Sequence, residues 1–553
     1  MNMGREKRHR RLPAENFFGF LRLRLRLIFG FSALFAALLL LHYPLLCLPY
    51  YWDEAGYYIP AALDFLRSAR LVPSDTLHTG HTPLVVIYLA LAWRVFGFSP
   101  RVTRVAMTLV AAVTLAAVYA LGRRLGSRET ACWSVLLLAL SPLFFAQSVL
   151  VHLDLAAGLF TLLALWALLG GTPWKFALAA VCAMLSKETA VVLLPVGWLF
   201  CWWRYRRAAA SAVRAWWIAF VAPLAVLAAW AVFYHHATGY WTGNSEYLRY
   251  NLYATLTPVR VLLTLLRRLY QTFIGGFNWL LAAGALAGIG WARGNGMGSS
   301  QTKAHSRAHE SQPNGCHPER REGSLQLSFF LLGGGLTAAY LLMLSLVGGA
   351  ILPRYLLPVY PPLLLMAVLL IWRLPRPAAR SLLALAGGCF VWAWFLNPPY
   401  PFPLEDNLAY ADFVRLHQQA AQFLEARQAN PRILTAWPAT DELARPFLGY
   451  VRRPLHVVGV EGFGRQDFRG VAAPSFDCLY LYSRRWEPAR NWLRSFPLLE
   501  DLQERYFDYQ PQMPAEELAD RYHLRLLASF ARRGQWVRIY APSMKPDTTQ
   551  EGK

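Results

Sequence analysis

The feature that most constrains this chain is the repetition of long apolar runs. They fall at roughly 27–48, 83–98, 102–122, 131–151, 154–171, 176–203, 215–234, 272–291, 327–349, 355–372 and 381–396. A helix needs about 20 apolar residues to cross a bilayer. Closed barrels cross with alternating strands instead, and these runs are continuous. With 56% hydrophobic and 16% charged residues, a soluble protein of 553 residues would lack polar surface. The mean hydropathy is +0.29. The pattern predicts a polytopic α-helical membrane protein of about eleven spans.

The formal net charge of +23 would suggest nucleic acid in a soluble protein. Here the basic residues collect in short loops, the positive-inside pattern, and no nucleic-acid partner is expected. Residues 1–26 carry Arg5, Lys7, Arg8, Arg10, Arg11, Arg22, Arg24 and Arg26, which predicts a cytoplasmic N-terminus. Loops 204–214, 293–325 and 373–380 are basic as well. Counting from them puts 49–82, 235–271, 350–354 and the chain after 396 outside. One conflict remains. Loop Arg123–Arg128 is basic, yet the count puts it outside and puts Asp154 inside. A half-length or re-entrant segment among 83–98 and 176–203 would invert that result. The second of these runs is interrupted by Lys187 and Glu188.

Three regions follow. Residues 1–26 form the basic N-terminus and 27–396 the membrane domain. Within the latter, 293–325 lacks any apolar period and reads as a disordered cytoplasmic insert. Its His305, His309, Cys316 and His317 read as loop residues rather than a metal site. The seven cysteines form no CxxC pair, and their odd number argues against a disulfide framework. From 397 to 553 the character changes. LAYADFVRLHQQAAQFLEARQ (408–428) has helical apolar spacing, and RILTAW, LHVVGV, FDCLYLYS and WVRIYA read as short strands. This predicts an extracytoplasmic, soluble α/β domain.

The candidate functional residues are charges in apolar surroundings. Asp53 and Glu54 lie in YYWDEAGYY, just past the first run. Aromatic residues suit a membrane interface; two adjacent acids do not, unless a site needs a carboxylate there to take a proton or hold a sugar. His81 precedes the second run and Arg104 heads the third, where an ordinary charged anchor is the bland alternative. Asp154, in VLVHLDLAAGLF, is flanked by apolar sequence on both sides. A charge at membrane depth costs about 2.5–3.5 kcal/mol on insertion scales, so function is the default reading. Lys187 and Glu188 interrupt AMLSKETAVVLLPVG, where an internal ion pair is the alternative. Arg354 and Tyr355 lie in ILPRYLLPVYPP, whose prolines break the helix. Arginine and lysine at such depth suit the phosphate of an anionic lipid.

The ordered set WDE, TPL, GRRLG, SPLF, SKETAVVLLP and RYLLPVYP resembles the GT-C membrane glycosyltransferases over about residues 25–375. The nearest likeness is to the dolichyl-phosphate-mannose protein mannosyltransferase and aminoarabinose lipid A transferase group. The resemblance implies a polyisoprenyl-phosphate-linked sugar as donor, with a protein, lipid or glycan hydroxyl as acceptor. It implies catalytic roles for Asp53, Glu54 and Asp154, with Asp53 as base. It implies donor or lipid-phosphate contacts for His81, Arg104, Lys187, Arg354 and Tyr355. A divalent metal could sit among the acids, although no ligand spacing specifies one. The sequence shows no obvious organellar targeting segment, so the expected setting is a bacterial inner membrane, among membrane lipids. The competing reading is a transporter or flippase for lipid-linked saccharides, which would also use intramembrane charges.

Overall fold

The structure, a computed structural model, describes residues 14–205, 210–245, 248–249, 256–295, 318–347, 349–427, 431–472, 475–488, 496–507 and 511–543. All eleven apolar runs are largely helical. The helices are α1 (Ala14–Leu41), α2 (Ile59–Ser68), α3 (Leu84–Phe96), α4 (Pro100–Leu125), α5 (Arg128–Leu140) and α6 (Pro142–Gln147). They continue with α7 (Leu153–Gly170), α8 (Pro173–Ser186), α9 (Leu193–Tyr205), α10 (Ala210–Thr238), α11 (Pro258–Phe273) and α12 (Asn278–Gly294). The membrane part closes with α13 (Pro318–Leu346), α14 (Tyr360–Ile371) and α15 (Arg376–Ala393). Proline opens many of them, where its missing N–H costs nothing.

Among the described residues, five helices are long and apolar enough to cross a membrane alone, or six if the pair Pro258–Phe273 and Gly275–Gly294, bent by 44°, is one span. By length and composition alone this falls short of the expected count of about eleven, because several of the apolar runs fold as shorter or broken helices. Helix α3 has 13 residues, about 20 Å at 1.5 Å per residue, short of a core of about 30 Å. It packs beside the start of α4, with Tyr88 Oη donating to Ala106 O at 2.8 Å and Trp93 Nε1 to Thr103 Oγ1 at 2.9 Å. The run 176–203 is two short helices meeting at a break. Ser186 ends α8, Lys187 is extended, and Glu188–Val192 forms a 3₁₀ turn before α9. A Cβ on Gly171, at the start of the α8 arm, would lie 2.9 Å from the Tyr205 hydroxyl at the end of α9. The two arms thus go out and return.

These two departures change which loops share an end of the bundle. Gln326 Nε2 donates to Leu125 O at 2.5 Å, and Arg380 Nη2 to Glu129 Oε1 at 2.5 Å. A Cβ on Gly170 would lie 3.7 Å from Arg124 Nη1. The loop Arg123–Arg128, Tyr205, the start of α13 and the start of α15 therefore share one end of the bundle. Asp154, at the opposite end of α7 from Gly170, lies at the other end, with Asp53. Residues 296–317 of the expected insert and 1–13 of the basic N-terminus lie outside the described residues. The expected disorder does not hold at 318–325, which opens α13.

After 397 come α16 (Ala409–Glu425), α17 (Ala439–Ala444), α18 (Pro497–Phe507) and α19 (Ala515–Arg521). They accompany strands β1 (Ile433–Ala436), β2 (Val457–Val460), β3 (Cys478–Tyr482), β4 (Leu524–Arg532) and β5 (Gln535–Pro542) in the order β2-β1-β3-β5-β4. β1 pairs parallel with β2 and β3, whereas β5 pairs antiparallel with β3 and β4. β1 and β3 are buried throughout, as their unbroken apolar sequences require. β4 escaped the pattern reading. It is an edge strand with a register shift between Leu526 and Ala528, and arginines interrupt its alternation.

This sheet domain packs onto the first loop. Tyr450 Oη donates to Tyr50 O at 3.0 Å, and Tyr50 N to Leu448 O at 3.2 Å. Trp437 stacks edge-on to Trp52 at 5.3 Å. A Cβ on Gly56 would lie 2.7 Å from Trp437, so only glycine admits this indole.

Candidate active site

The acidic pair sits in a distorted turn. Trp52 takes a left-handed backbone, φ +46°, and Glu54–Tyr58 winds as a π-helix. Such wide turns often mark functional positions. Because successive helical residues point about 100° apart, Asp53 and Glu54 reach different partners.

Glu54 faces inward and is fully buried. Its carboxylate pairs with both terminal nitrogens of Arg104, the second at 2.8 Å. It also accepts from Tyr51 N at 2.7 Å and Val151 N at 2.6 Å. Arg104 Nη1 also donates to Val149 O at 2.8 Å and Nη2 to Pro49 O at 3.0 Å, while Nε has no hydrogen-bond partner. Glu54 and Arg104, expected in catalysis and in phosphate contact, are here engaged with each other and with backbone. Of either side chain, 1% or less reaches solvent. They staple the first loop to α4 and to the loop before α7.

Asp53 faces the other way, onto Arg354. The Arg354 guanidinium is the hub of the site. Nη2 donates to Asp53 Oδ2, and Nη1 donates to Glu405 Oε2 at 2.6 Å. Nη1 also lies 2.7 Å from His152 Nε2. Arginine only donates, so Nε2 accepts, and Nδ1–H of His152 donates to Gln147 Oε1 at 2.6 Å. Arg354 Nε has no hydrogen-bond partner and lies 3.7 Å from Asp154 Oδ2. Arg354 is carried by the 3₁₀ turn Pro353–Leu356, which the prolines before α14 create. α7 meets this turn closely: a Cβ on Gly158 would lie 2.9 Å from Leu357 O.

Lys187 completes the cluster from the break between α8 and α9. Its Nζ donates to Asp154 Oδ1 at 2.7 Å and stands 4.0 Å over the Tyr355 ring. The Arg354 and Arg268 guanidinium carbons each lie 5.5 Å from the same ring. Asp53, Asp154, Lys187, Arg354 and Tyr355 thus meet in one place. His81 lies farther out. Its Nδ1 is 3.1 Å from both Glu188 carboxylate oxygens. The Tyr58 ring stands between His81, at 6.5 Å, and His152, at 6.3 Å. The pairing of Lys187 with Asp154, and of Glu188 with His81, replaces the expected internal Lys187–Glu188 alternative.

Two members escaped the sequence reading. Glu405 comes from the segment after α15, and burial pushes its carboxyl up to about 7 against the pull of Arg354. Arg268, on α11, is fully buried and donates to Leu352 O at 2.7 Å. Glu405-Asp406 repeats the signal of Asp53-Glu54, two adjacent acids a few residues past an apolar run. Arg268 gave no comparable signal, because α11 carries Arg260, Arg267 and Arg268 like any basic amphipathic stretch.

Residues 80–234 match the family model of dolichyl-phosphate-mannose-protein mannosyltransferase. The crystal structure of ArnT from Cupriavidus metallidurans in the apo state aligns with 93% of this chain and 98% of its own, at 15% identity and a TM-score of 0.52. The same protein bound to undecaprenyl phosphate aligns over 92% and 98%, at 14% identity and a TM-score of 0.50. No curated protein sequence matches the chain. The chain has the GT-C glycosyltransferase fold. Within that GT-C frame the hub lies where the first loop, the α6–α7 loop, the α8–α9 break and the Pro353–Leu356 turn converge. Among the described residues no three His, Cys, Asp or Glu side chains gather as a metal ion would require. Asp53 and Glu405 pair with Arg354, and Asp154 with Lys187.

Proposed function

We propose that this GT-C chain is an integral membrane glycosyltransferase that moves a sugar from a polyisoprenyl-phosphate donor to an acceptor hydroxyl. One observation carries the reading. A single buried guanidinium, Arg354, grips the exposed-side acid Asp53 while its Nε edge faces the Asp154–Lys187 pair. Cations at this spacing suit a lipid phosphate, and a carboxylate beside them suits a proton acceptor. The mannosyltransferase family match over 80–234, and a similar fold that holds undecaprenyl phosphate, support a donor of that class.

Donor phosphate binds between Arg354 and Lys187, with Tyr355 as the ring both cations lean on. Phosphate and Asp53 compete for the same guanidinium, so a bound donor releases Asp53 toward the acceptor. Asp53 takes the hydroxyl proton as the oxygen bonds to the anomeric carbon. The bond from that carbon to the phosphate oxygen breaks, and its electron pair leaves on the phosphate. Arg354 and Lys187 hold the charge that develops there. Direct displacement inverts the anomeric centre. Asp154 positions Lys187, the Glu54–Arg104 pair positions the acid loop, and His81 orients the break through Glu188. No step uses a metal. The basic loops gathered at the far end of the bundle support an inner-membrane setting with that end cytoplasmic and the site outside.

The test is donor turnover by purified protein given polyprenyl-phosphate sugars. Asp53→Asn keeps the fold and loses at least about 100-fold in rate, the span expected for a general base. Unchanged turnover in a folded Asp53→Asn protein removes Asp53 as base. Vectorial lipid movement without glycosidic chemistry supports a flippase instead.

A further inference from the structure

A second charged cavity lies on the same end of the bundle and shares no residue with the Arg354 hub. It encloses about 310 Å³. Its floor is apolar, formed by Leu41, Leu45, Phe145, Trp394 and Phe395, the residues where α1, α6 and α15 end or have just ended. Its wall is basic and belongs to the sheet domain: Arg415 on α16, and Arg532 and Arg533 at the β4–β5 turn.

The wall is built rather than incidental. The turn is reversed by Arg533 at φ +45° and Gly534 at φ +84°, which brings both arginines to its tip. Asp412 anchors them. Arg532 Nε donates to its Oδ1, Arg533 Nη1 lies 3.7 Å from its Oδ2, and Arg415 Nη1 lies 3.8 Å from its Oδ1. The Arg533 guanidinium carbon also sits 5.6 Å from the Phe395 ring centre. Among the described residues Asp412 is the one acid lining the cavity, against three arginines. All three keep a third to a half of their side chain exposed.

The floor continues onto a surface that faces lipid. Only 6% of the Arg24–Leu41 window is buried inside the protein. Leu40, Tyr43, Phe395 and Leu396 are all exposed beside it. An occupant must therefore carry an anionic head and apolar chains. A soluble anion has no use for this floor, and an acidic peptide has none for the hydrocarbon-facing side. We propose that this cavity binds the phosphate headgroup of an anionic glycerophospholipid of the surrounding leaflet, with its acyl chains along the exposed end of α1 and Phe395. The lipid then bridges the sheet domain to the span ends, clamping the domain that holds the acid loop and Glu405.

The test compares wild type with the Arg415→Gln/Arg533→Gln double variant, which leaves the Arg532–Asp412 pair intact. Each protein is equilibrated in detergent with phosphatidylglycerol or phosphatidylcholine, and retained lipid is counted by native mass spectrometry. Wild type should retain one more phosphatidylglycerol than the variant, with apparent affinity lower by roughly tenfold in the variant. Phosphatidylcholine should be retained equally by both. Equal phosphatidylglycerol retention by the two proteins overturns the proposal. So does displacement of the lipid by inorganic phosphate alone, which would mark a free-anion site. A measurement on wild type alone guards against a misfolded variant: phosphatidylglycerol should raise the melting temperature more than phosphatidylcholine, and equal shifts would also overturn it.

Discussion

At the scale of residues, Asp53 meets Arg354 while its neighbour Glu54 meets Arg104. Asp53 and Glu54 stood out together as acids where acids are costly, and the backbone sends them apart. Glu54 belongs to a buried ion pair, where losing one partner strands the other's charge at a cost of about 3–5 kcal/mol. Glu54→Gln should therefore lower the melting temperature steeply, whereas Asp53→Asn, with its partly exposed side chain, should leave it nearly unchanged. Thermal unfolding of the two variants side by side checks this, and equal shifts would contradict it. Glu405 offers a pH signature. Burial raises its pKa from 4.5 to about 7 in the folded protein. The folded state then holds a proton that the unfolded chain has released, so this group makes stability fall as pH rises from about 4.5 to about 7. Glu405→Gln should flatten that slope in melting curves taken across the window. An unaltered slope would count against a protonated Glu405. Asp154, Lys187 and Arg354 stood out because charge in apolar sequence is conspicuous, and Tyr355 stood out as the neighbour of Arg354. The Glu54–Arg104 pairing was not, since nothing local couples residues fifty positions apart.

At the scale of elements, the site depends on breaks rather than on regular helix. Lys187 is available because α8 stops, and Arg354 because prolines delay α14. Both interruptions were visible in SKETAVVLLP and RYLLPVYPP. Length was legible in part, since run 83–98 already stood as a candidate half-length segment. Helix α3 carries a span's composition without a span's reach, and that one element reverses the apparent side of every loop up to the α8–α9 break. The close approach of α7 to the Arg354 turn rests on Gly158. Its Cβ would meet Leu357 O at 2.9 Å, tighter than side-chain carbons tolerate. Gly158→Val should cost about 1–3 kcal/mol through overpacking and push Arg354 off Asp154. Melting temperature and donor turnover should both fall; unchanged turnover would mean that the spacing of α7 from that turn is immaterial to the site.

At the scale of the whole molecule, the bundle and the sheet domain build the hub jointly. Trp437 presses on Gly56, Tyr450 holds Tyr50, and Glu405 enters from the segment between the two parts. The sheet was largely legible as apolar strand runs, apart from edge strand β4. Its docking on the acid loop was not, because the contacts are single aromatic side chains without periodicity. The account rests on phosphate and base occupying one place but different side chains. Equilibrium binding of a polyprenyl phosphate to wild type, Arg354→Gln, Lys187→Met and Asp53→Asn separates these roles most directly. Arg354→Gln and Lys187→Met should each bind at least about tenfold more weakly, as expected when a charge-assisted contact worth about 1.5–3 kcal/mol is lost. Asp53→Asn should bind as tightly as wild type, or more tightly because Arg354 is freed. Undiminished binding by both cation variants would contradict the account.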